Sequence, residues 1–352
     1  MIHGGDTLSY EKFYKGELVD FSSNINPLGP PKGLNTRLVE GFETLIAYPD
    51  IQYRRLKAAI SKYLNCERDN VLVGNGAVEI IDNFIITGKR IITTMPSFAE
   101  YSLRAVAHNK ELIQIPYGED FKIDIDVIKN NIEKEDLLIL GNPNNPTGLR
   151  IEKDVLLEIY KILKEKGGYL LLDEAFYEFA PYDYDSIQLF KKFDYKNVGI
   201  IRAATKFFAL PGIRLGYACA SKEKVKEINK IELPWSINSL ADIAGQYIFL
   251  DKEYIKKSKE YIEEERNFML KELSQIPWIK AYPTQTNYIL IKLNKWNEEY
   301  IFNYFLSRGI VIRKCSSFVG LNEQYIRVAI KDRENNTRLI DVFKELTKEV
   351  EI

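Results

Sequence analysis

The sequence predicts an α/β fold built on a mostly parallel β-sheet with helices on both sides. From about residue 36 to residue 245, short apolar runs alternate with segments of helical pattern, which is typical of parallel sheets. Several runs are apolar almost throughout, for example GYLLLDE at 168–174, and such runs indicate strands buried on both faces. The chain has 352 residues, enough for two lobes rather than one simple core.

The elements of the first lobe can be placed in order along the chain. Strands are expected at 71–74, 90–95, 111–117, 136–140, 168–174 and 198–204. Helices are expected from Ala77 onward and over 154–166. Ligands of such sheets bind at the carboxyl ends of the strands, so the motifs that directly follow a strand are the candidates for a functional site.

A smaller α/β lobe is predicted after Pro234. A charged stretch of helical pattern covers 236–273, strands are expected at 282–293 and 325–330, and a last helix is expected near 333–350. We therefore expect an N-terminal arm (1–40) that joins the small domain, a large domain (41–245) and a small C-terminal domain (246–352).

Composition excludes several classes of function. The formal net charge is -1 and no basic run stands out, which argues against nucleic acid or an acidic membrane surface as a partner. The three cysteines form no CxxC pattern, so reduced thiols and a cytoplasmic location are expected. No signal peptide or membrane helix is expected either. Only two histidines are present, which leaves little material for a Ser-His-Asp triad, and no metal site is expected.

The most informative segment is ATKFFALPGIRLGY at 204–217. Lys206 follows a strand that is predicted to be buried, and Arg214 lies eight residues later. A lone lysine after a strand is usually a surface residue, but burial beside a second cation would lower its pKa and make it a nucleophile. The rigid guanidinium fork of Arg214 suits a phosphate.

Other polar motifs follow the neighbouring strands. Asp173 ends an apolar strand in LLLDEAFYEF (170–179), where a carboxylate is costly unless it has a partner. GNPNNPTG (141–148) is a turn after the strand at 136–140. In VGNGAVEII (73–81) a glycine turn opens a helix, and the backbone amides of Gly76, Ala77 and Val78 can cradle a phosphate.

Together with MPSFAEY (95–101) and AYPD (47–50), these motifs resemble the fold-type I, pyridoxal-phosphate (PLP) dependent aminotransferase superfamily, class I/II. The resemblance implies an aspartate-aminotransferase-like fold with a seven-stranded, mostly parallel sheet in the large domain, and a homodimer with shared active sites. It also implies the cofactor contacts. Lys206 holds PLP as a Schiff base and moves the proton at the substrate carbon, while Asp173 lies beside the pyridine nitrogen. Asn145 bonds the phenolate oxygen and Phe98 stacks on the ring, and the cofactor phosphate is bound by Arg214, by the amides of 76–78 and by Tyr48 from the partner subunit.

Two positions depart from the common family pattern. Many relatives carry Ser or Thr three residues before the lysine as a phosphate ligand, and here that residue is Ala203. Thr205 is the candidate that compensates for it. Many aminotransferases have Tyr three residues after the aspartate, and here it is Phe176, with Tyr177 next to it. Loss of that hydroxyl should change the pKa of the Schiff base.

Two branches of the superfamily fit the chain. HGGD (3–6), DFSSNINPLGPP (20–31), LPWSINSLA (233–241) and IRKCSSFVGLNEQYIRVAI (312–330) resemble the threonine-phosphate decarboxylases of cobalamin synthesis. The histidinol-phosphate aminotransferases share the PLP motifs but usually have Tyr in place of Phe176. A PLP-binding regulator without turnover is a third alternative, which the lack of a basic helix or a spare segment disfavours.

The resemblance also assigns substrate contacts. Arg313 and Arg327 are expected to be half-buried on neighbouring small-lobe strands, and two cations near one pocket suit a substrate that carries a carboxylate and a phosphate. His3 and Gly4 would close over the substrate phosphate, and Asn24 with Asn145 would complete the pocket. The expected partner is thus a small phosphorylated amino acid or amine.

Overall fold

A computed structural model describes residues 3–350 of the chain. The strands are β1 (Val19–Asp20), β2 (Val71–Gly74), β3 (Arg90–Met95), β4 (Glu111–Pro116), β5 (Asp136–Gly141), β6 (Tyr169–Asp173), β7 (Val198–Ala203), β8 (Gly216–Ala220), β9 (Ile279–Ala281), β10 (Tyr288–Leu293), β11 (Ile310–Val311), β12 (Arg313–Lys314) and β13 (Tyr325–Ala329). The α-helices are α1 (Leu34–Gly41), α2 (Arg54–Leu64), α3 (Ala77–Thr87), α4 (Ala99–Ala107), α5 (Ile125–Asn131), α6 (Lys153–Lys166), α7 (Ser186–Lys191), α8 (Lys222–Ile228), α9 (Ser239–Ile248), α10 (Lys252–Leu273), α11 (Glu298–Leu306) and α12 (Arg333–Val350).

The large sheet has seven strands in the order β2-β8-β7-β6-β5-β3-β4. Strands β4, β3, β5, β6 and β7 run parallel to one another, while β8 is antiparallel to both of its neighbours. Every residue of β5, β7 and β8 is buried, which explains why the sequence shows continuous apolar runs there. The predicted mostly parallel, seven-stranded sheet is confirmed.

The order of the strands brings the polar motifs to one edge of this sheet. Gly141 at the end of β5 is paired with Asp173 at the end of β6, and Asp173 is paired with Ile201 near the end of β7. Residues that follow these three strands therefore lie side by side.

The small lobe contains a four-stranded antiparallel sheet in the order β12-β13-β10-β9. Helix α12 packs against α10. Strand β1 pairs in parallel with β11, with Val19 opposite Ile310, while α1 packs against α9. The pairing of β1 supports the assignment of the N-terminal arm to the small domain, and the domain boundaries stay a proposal.

Several elements differ from the expected ones. The helical stretch at 236–273 is two helices, because Asp251 interrupts it and caps α10 by accepting a hydrogen bond from the Tyr254 amide. Within 282–293 only β10 is a strand. Residues 283–287 lie outside the strands, and the Gln285 amide donates to the Gly148 carbonyl of the large lobe at 2.8 Å. Strands β1, β8 and β9 were not expected as strands. No helix within residues 3–350 is long and apolar enough to cross a membrane.

Candidate active site

A cavity of about 490 Å³ opens at the carboxyl edge of the large sheet. Its size lies in the usual range for small-ligand sites. Residues from most of the motifs found in the sequence line it together: His3, Gly4, Asn24, Ala77, Val78, Phe98, Asn145, Asp173, Thr205, Lys206, Arg214 and Arg327. Ala203 and Phe176, the two departures from the family pattern, also line it.

Lys206 follows β7, is half-buried and lines the cavity wall. Burial is the main cause that lowers the pKa of this amine to about 8, and the positive charge of Arg327 acts in the same direction. The main chain is held as well, since the Asn26 amide donates to the Lys206 carbonyl at 3.0 Å. A fixed amine with a lowered pKa is suited to attack a carbonyl carbon and to exchange protons near neutral pH.

An anion cradle is formed where α3 begins. Gly76 is the residue before α3, has φ +81° and provides no side-chain cap, so the first amides of the helix, from Ala77 and Val78, are available to a ligand. A Cβ atom at Gly76 would lie 2.3 Å from Arg214 Nη2. Only glycine lets the Arg214 guanidinium approach the helix start so closely. The amides and the guanidinium together suit a phosphate.

Asp173 is buried at the end of β6 and accepts two hydrogen bonds. The Tyr101 hydroxyl donates to Oδ2 at 2.7 Å, and the Ala175 amide donates to Oδ1 at 3.0 Å. Burial raises the pKa of the Asp173 carboxyl, and both hydrogen bonds oppose that rise. A carboxylate held in this way can face a protonated ring nitrogen.

Arg327 on β13 connects the site to the N-terminal arm. Its Nη1 donates to Asn145 Oδ1, and its Nη2 donates to the Ser22 carbonyl at 3.0 Å. The first bond leaves Asn145 Nδ2 available as a donor to a ligand. Arg327 Nε and Asn24 Oδ1 are buried without a hydrogen-bond partner among the described residues. Such orphaned polar groups mark a place where a ligand completes the hydrogen bonding.

Arg313 lies beside Arg327 rather than on the main cavity. The two residues are directly opposite each other on β12 and β13, and both are buried. A neighbouring cavity of about 40 Å³ is lined by both arginines, His3, Asn145 and Ser317, and Arg313 Nη2 donates to Ser317 Oγ at 2.7 Å. Two buried cations opposite each other repel, so an anion bound between them would be strongly favoured.

The N-terminal segment lies over the mouth of the cavity. The His3 Nε2 atom is 2.9 Å from Glu100 Oε1. A Cβ atom at Gly4 would lie 2.2 Å from the Ser22 carbonyl oxygen, so only glycine fits, and the Gly5 amide donates to Ser22 Oγ at 2.8 Å. The segment is thus packed onto the same turn that binds Arg327.

Tyr48 does not reach the cavity of its own chain. It is 80% exposed and lies on the Trp235 ring, with 4.6 Å between the ring centroids. This position is compatible with a role at the cavity of a second subunit. Tyr177 does not replace the missing hydroxyl of Phe176, because the ring of Tyr177 is buried under the Arg202 guanidinium, 3.5 Å from its centroid.

Six residues of the cavity wall were missed in the sequence: Ser22, Ser23, Glu100, Tyr101, Pro143 and Ala175. Tyr101 offered a signal, because it lies three residues after Phe98 and is therefore on the same face of the helix start. Ser22 and Ser23 directly precede Asn24, so that motif could have been extended. Nothing in the sequence pairs Glu100 with His3.

The chain is similar to known proteins of one family along most of its length. The family model for aminotransferase class I and II matches residues 16–343. The chain is 39% identical, over 99% of its length and 94% of the relative's, to a provisionally named threonine-phosphate decarboxylase from Caldanaerobacter subterraneus subsp. tengcongensis. It is 31% identical, over 94% and 89%, to the threonine-phosphate decarboxylase of Salmonella typhimurium. The crystal structure of the histidinol-phosphate aminotransferase from Clostridium acetobutylicum matches with a TM-score of 0.90 at 37% identity, and the match covers 94% of this chain and 100% of that one.

Proposed function

Because the chain belongs to the aminotransferase class I and II family, we propose that this PLP-dependent enzyme decarboxylates L-threonine O-3-phosphate to (R)-1-aminopropan-2-yl phosphate, a step of cobalamin biosynthesis. The observation that carries the proposal is the pair of buried arginines, Arg313 and Arg327, which lie directly opposite each other on β12 and β13, with Arg327 lining the main cavity and Arg313 lining the small cavity next to it. A small substrate with both a phosphate and a carboxylate brings one anion for each guanidinium.

The residues at the cavity fit PLP. The phosphate belongs in the cradle of Arg214 and the amides that follow Gly76, where a Cβ atom would block the approach. The buried Asp173 carboxylate suits the ring nitrogen, and the free Nδ2 of Asn145 suits the phenolate oxygen. Phe98 lines the cavity and is positioned to lie against the ring. Thr205 lines the same cavity and is the proposed substitute for the hydroxyl that Ala203 lacks.

When bound, PLP accepts the electron pair of a bond that breaks at the substrate α-carbon. The chain supplies the remaining functions. Arg327 binds the substrate carboxylate, and Arg313 with His3 and Gly4 binds the substrate phosphate. Asn24, whose Oδ1 is buried without a hydrogen-bond partner within residues 3–350, accepts a hydrogen bond from the substrate. After CO2 leaves, the Lys206 amine delivers a proton to the α-carbon, and the product amine is released.

Histidinol-phosphate aminotransferase is the second candidate, and the 37% identity to the Clostridium acetobutylicum structure over nearly the whole chain favours it. In that reaction Lys206 removes the α-proton instead of adding one. Arg313 would bind the phosphate of histidinol phosphate, and Arg327 would bind a carboxylate of 2-oxoglutarate. The two candidates share every cofactor contact and differ in which bond at the α-carbon breaks.

One experiment separates the two candidates. The purified enzyme is incubated with threonine phosphate while CO2 release is followed, and in parallel with histidinol phosphate and 2-oxoglutarate while glutamate is followed. CO2 without glutamate supports the decarboxylase, and glutamate without CO2 supports the aminotransferase. Lys206→Ala is the control, because it keeps the substrate arginines and should abolish either reaction.

A second experiment tests the arginine pair. Arg313→Ala should cost about 2–5 kcal/mol of binding, as for one partner removed from a desolvated ion pair, which is roughly thirty-fold to several thousand-fold. The loss should fall on threonine phosphate and spare threonine, because the phosphate-free amino acid never uses Arg313. An equal loss for both substrates would mean that Arg313 is structural and that the phosphate binds elsewhere.

We also propose a homodimer with shared active sites. Tyr48 stands at 80% exposure within a patch of exposed apolar side chains that includes Phe42, Leu45, Ile46 and Trp235. Large exposed apolar patches usually mark interaction surfaces. A second copy placed on this patch would bring Tyr48 toward the phosphate cradle of its neighbour.

A further inference from the structure

Tyr101 is a cavity residue with no role assigned so far. It is the third residue of α4, one turn after Phe98, and is only 2% exposed. Its ring packs edge-on against Phe98, with ring planes at 85° and centroids 5.7 Å apart. Its hydroxyl lies 2.7 Å from Asp173 Oδ2. The residue thus touches both the aromatic ring and the carboxylate that are expected to contact the cofactor ring.

The hydroxyl of Tyr101 has a simple electrostatic effect. A tyrosine hydroxyl beside a carboxylate donates its proton, and this bond favours the ionised acid. Burial raises the pKa of Tyr101, so that the hydroxyl keeps its proton and stays a donor. Each carboxylate oxygen of Asp173 then accepts one hydrogen bond, from Tyr101 or from the Ala175 amide. Each oxygen retains acceptor capacity for a further proton donor from the cavity.

The other ionisable groups around Asp173 do not supply this effect. Glu174 is next in the chain and raises the pKa of Asp173, and Tyr288 faces it from β10. Glu174 is itself paired with Arg202 at 2.9 Å, so that cation is engaged elsewhere. Among the described residues, Tyr101 provides the one side-chain hydrogen bond that Asp173 accepts.

We propose that Tyr101 is a positioning residue for the cofactor, whose hydroxyl keeps Asp173 ionised and oriented so that the proton shared between Asp173 and the pyridine nitrogen stays on the nitrogen. A protonated ring nitrogen makes the ring a stronger electron acceptor. The proposal rests on the proposed contact between Asp173 and PLP. It does not depend on which of the two reactions the enzyme catalyses.

The test is the ¹⁵N NMR signal of the ring nitrogen in enzyme loaded with ¹⁵N-labelled PLP. Tyr101→Phe removes one oxygen atom and keeps the ring that packs in the core. Loss of a hydrogen bond to a charged group should move the proton equilibrium between the nitrogen and Asp173 by about ten- to a hundred-fold. The signal should therefore shift toward that of neutral pyridine, and kcat should fall with little change in KM.

Tyr117→Phe is the matched control. Tyr117 is a half-buried tyrosine of the same sheet edge, but its hydroxyl accepts a hydrogen bond from Thr94 and makes no hydrogen bond to Asp173. A shift in Tyr101→Phe without a shift in Tyr117→Phe supports the proposal. Equal signals in the wild type and Tyr101→Phe overturn it, and so do equal shifts in both variants.

Asp173→Asn separates this proposal from the one on which it rests. A ring-nitrogen signal that Asp173→Asn leaves unchanged refutes the cofactor contact of Asp173. A change in Asp173→Asn without a change in Tyr101→Phe refutes the role of Tyr101 alone. If Tyr101→Phe does not fold, the infrared spectrum of Asp173→Asn is subtracted from that of the wild type. A band of a protonated carboxyl group that belongs to Asp173 would contradict the proposal, because the proposal requires Asp173 to be ionised.

Discussion

Replacing Lys206 with methionine should stabilise the cofactor-free protein at neutral pH. Burial and Arg327 lower the pKa of this amine from 10.5 to about 8. The difference is about 2.5 pKa units (10.5 − 8), and at 1.36 kcal/mol per unit it amounts to about 3 kcal/mol. In the unfolded chain the charged amine is solvated, so folding at pH 7 carries this cost, and methionine removes it.

The pH dependence of this gain follows from linkage. The folded-state pKa lies below the unfolded one, so the native state binds fewer protons between pH 8 and pH 10.5. The free energy of unfolding of the wild type should therefore rise with pH across this window relative to the variant. The advantage of Lys206→Met should be full below pH 8, and its pH-dependent part should be gone above pH 10.5.

Urea unfolding of the two cofactor-free proteins at pH 7, 8, 9 and 10 measures this difference, and all other titrating groups cancel in the comparison. Repeating it in an Arg327→Gln background adds a coupling measurement. Without the Arg327 charge the pKa of Lys206 should be higher, so the gain from methionine should be smaller. A gain that does not change with pH would refute the reasoning, because it would reflect apolar packing and not the cost of the charge.

Three further predictions concern the cofactor site, the dimer and a buried acid. Arg214→Ala should weaken PLP binding by about thirty-fold or more, measured by cofactor titration, and leave the kinetic preference for threonine phosphate over threonine unchanged. An unchanged PLP affinity would mean that the cofactor phosphate binds elsewhere. Mixing Lys206→Ala subunits with Tyr48→Phe subunits should create one intact site per mixed dimer and recover part of the wild-type cofactor affinity, whereas no recovery would contradict shared sites. Glu178→Gln should be more stable than the wild type, and the difference should grow as the pH rises above 4.5, because burial raises the pKa of this carboxyl and ionising it in the fold costs free energy. Thermal melts of both proteins over a pH series measure this difference, and a difference that stays constant with pH would refute the prediction.

The strands could be predicted from the sequence where they are buried on both faces of the sheet. Strands β5, β6 and β7 lie inside a sheet covered on both faces, so their sequences are nearly all apolar and stand out. Strand β8 was missed because GYACA is short and made mostly of small residues, and its antiparallel pairing leaves no trace in the sequence. Residues 282–287 were predicted as strand because their polar and apolar residues continue the pattern of β10, but the Gln285 amide donates to the Gly148 carbonyl of the large lobe and not to a neighbouring strand.

The site was predictable only in part, for a related reason. Lys206, Asp173 and Asn145 each follow a parallel strand, so the topology alone brings them together at one edge. The bond from Tyr101 to Asp173 joins residues that are 72 positions apart. It depends on how α4 packs on the sheet, and no local pattern encodes that packing. The same is true of the contact between His3 and Glu100.

Burial acts in opposite directions on the two ionisable groups at the centre of the cavity. It lowers the pKa of the Lys206 amine and raises that of the Asp173 carboxyl, because burial disfavours the charged form of each group, and perturbed pKa values of this kind cluster at functional sites. The two arginines opposite each other on β12 and β13 add a third unfavourable arrangement. A cofactor with a carbonyl carbon for the amine and a proton donor for the carboxylate would relieve the first two costs, and a substrate with anionic groups for the arginines would relieve the third. The energetics of the cavity therefore favour a phosphorylated aldehyde cofactor followed by an anionic amino substrate.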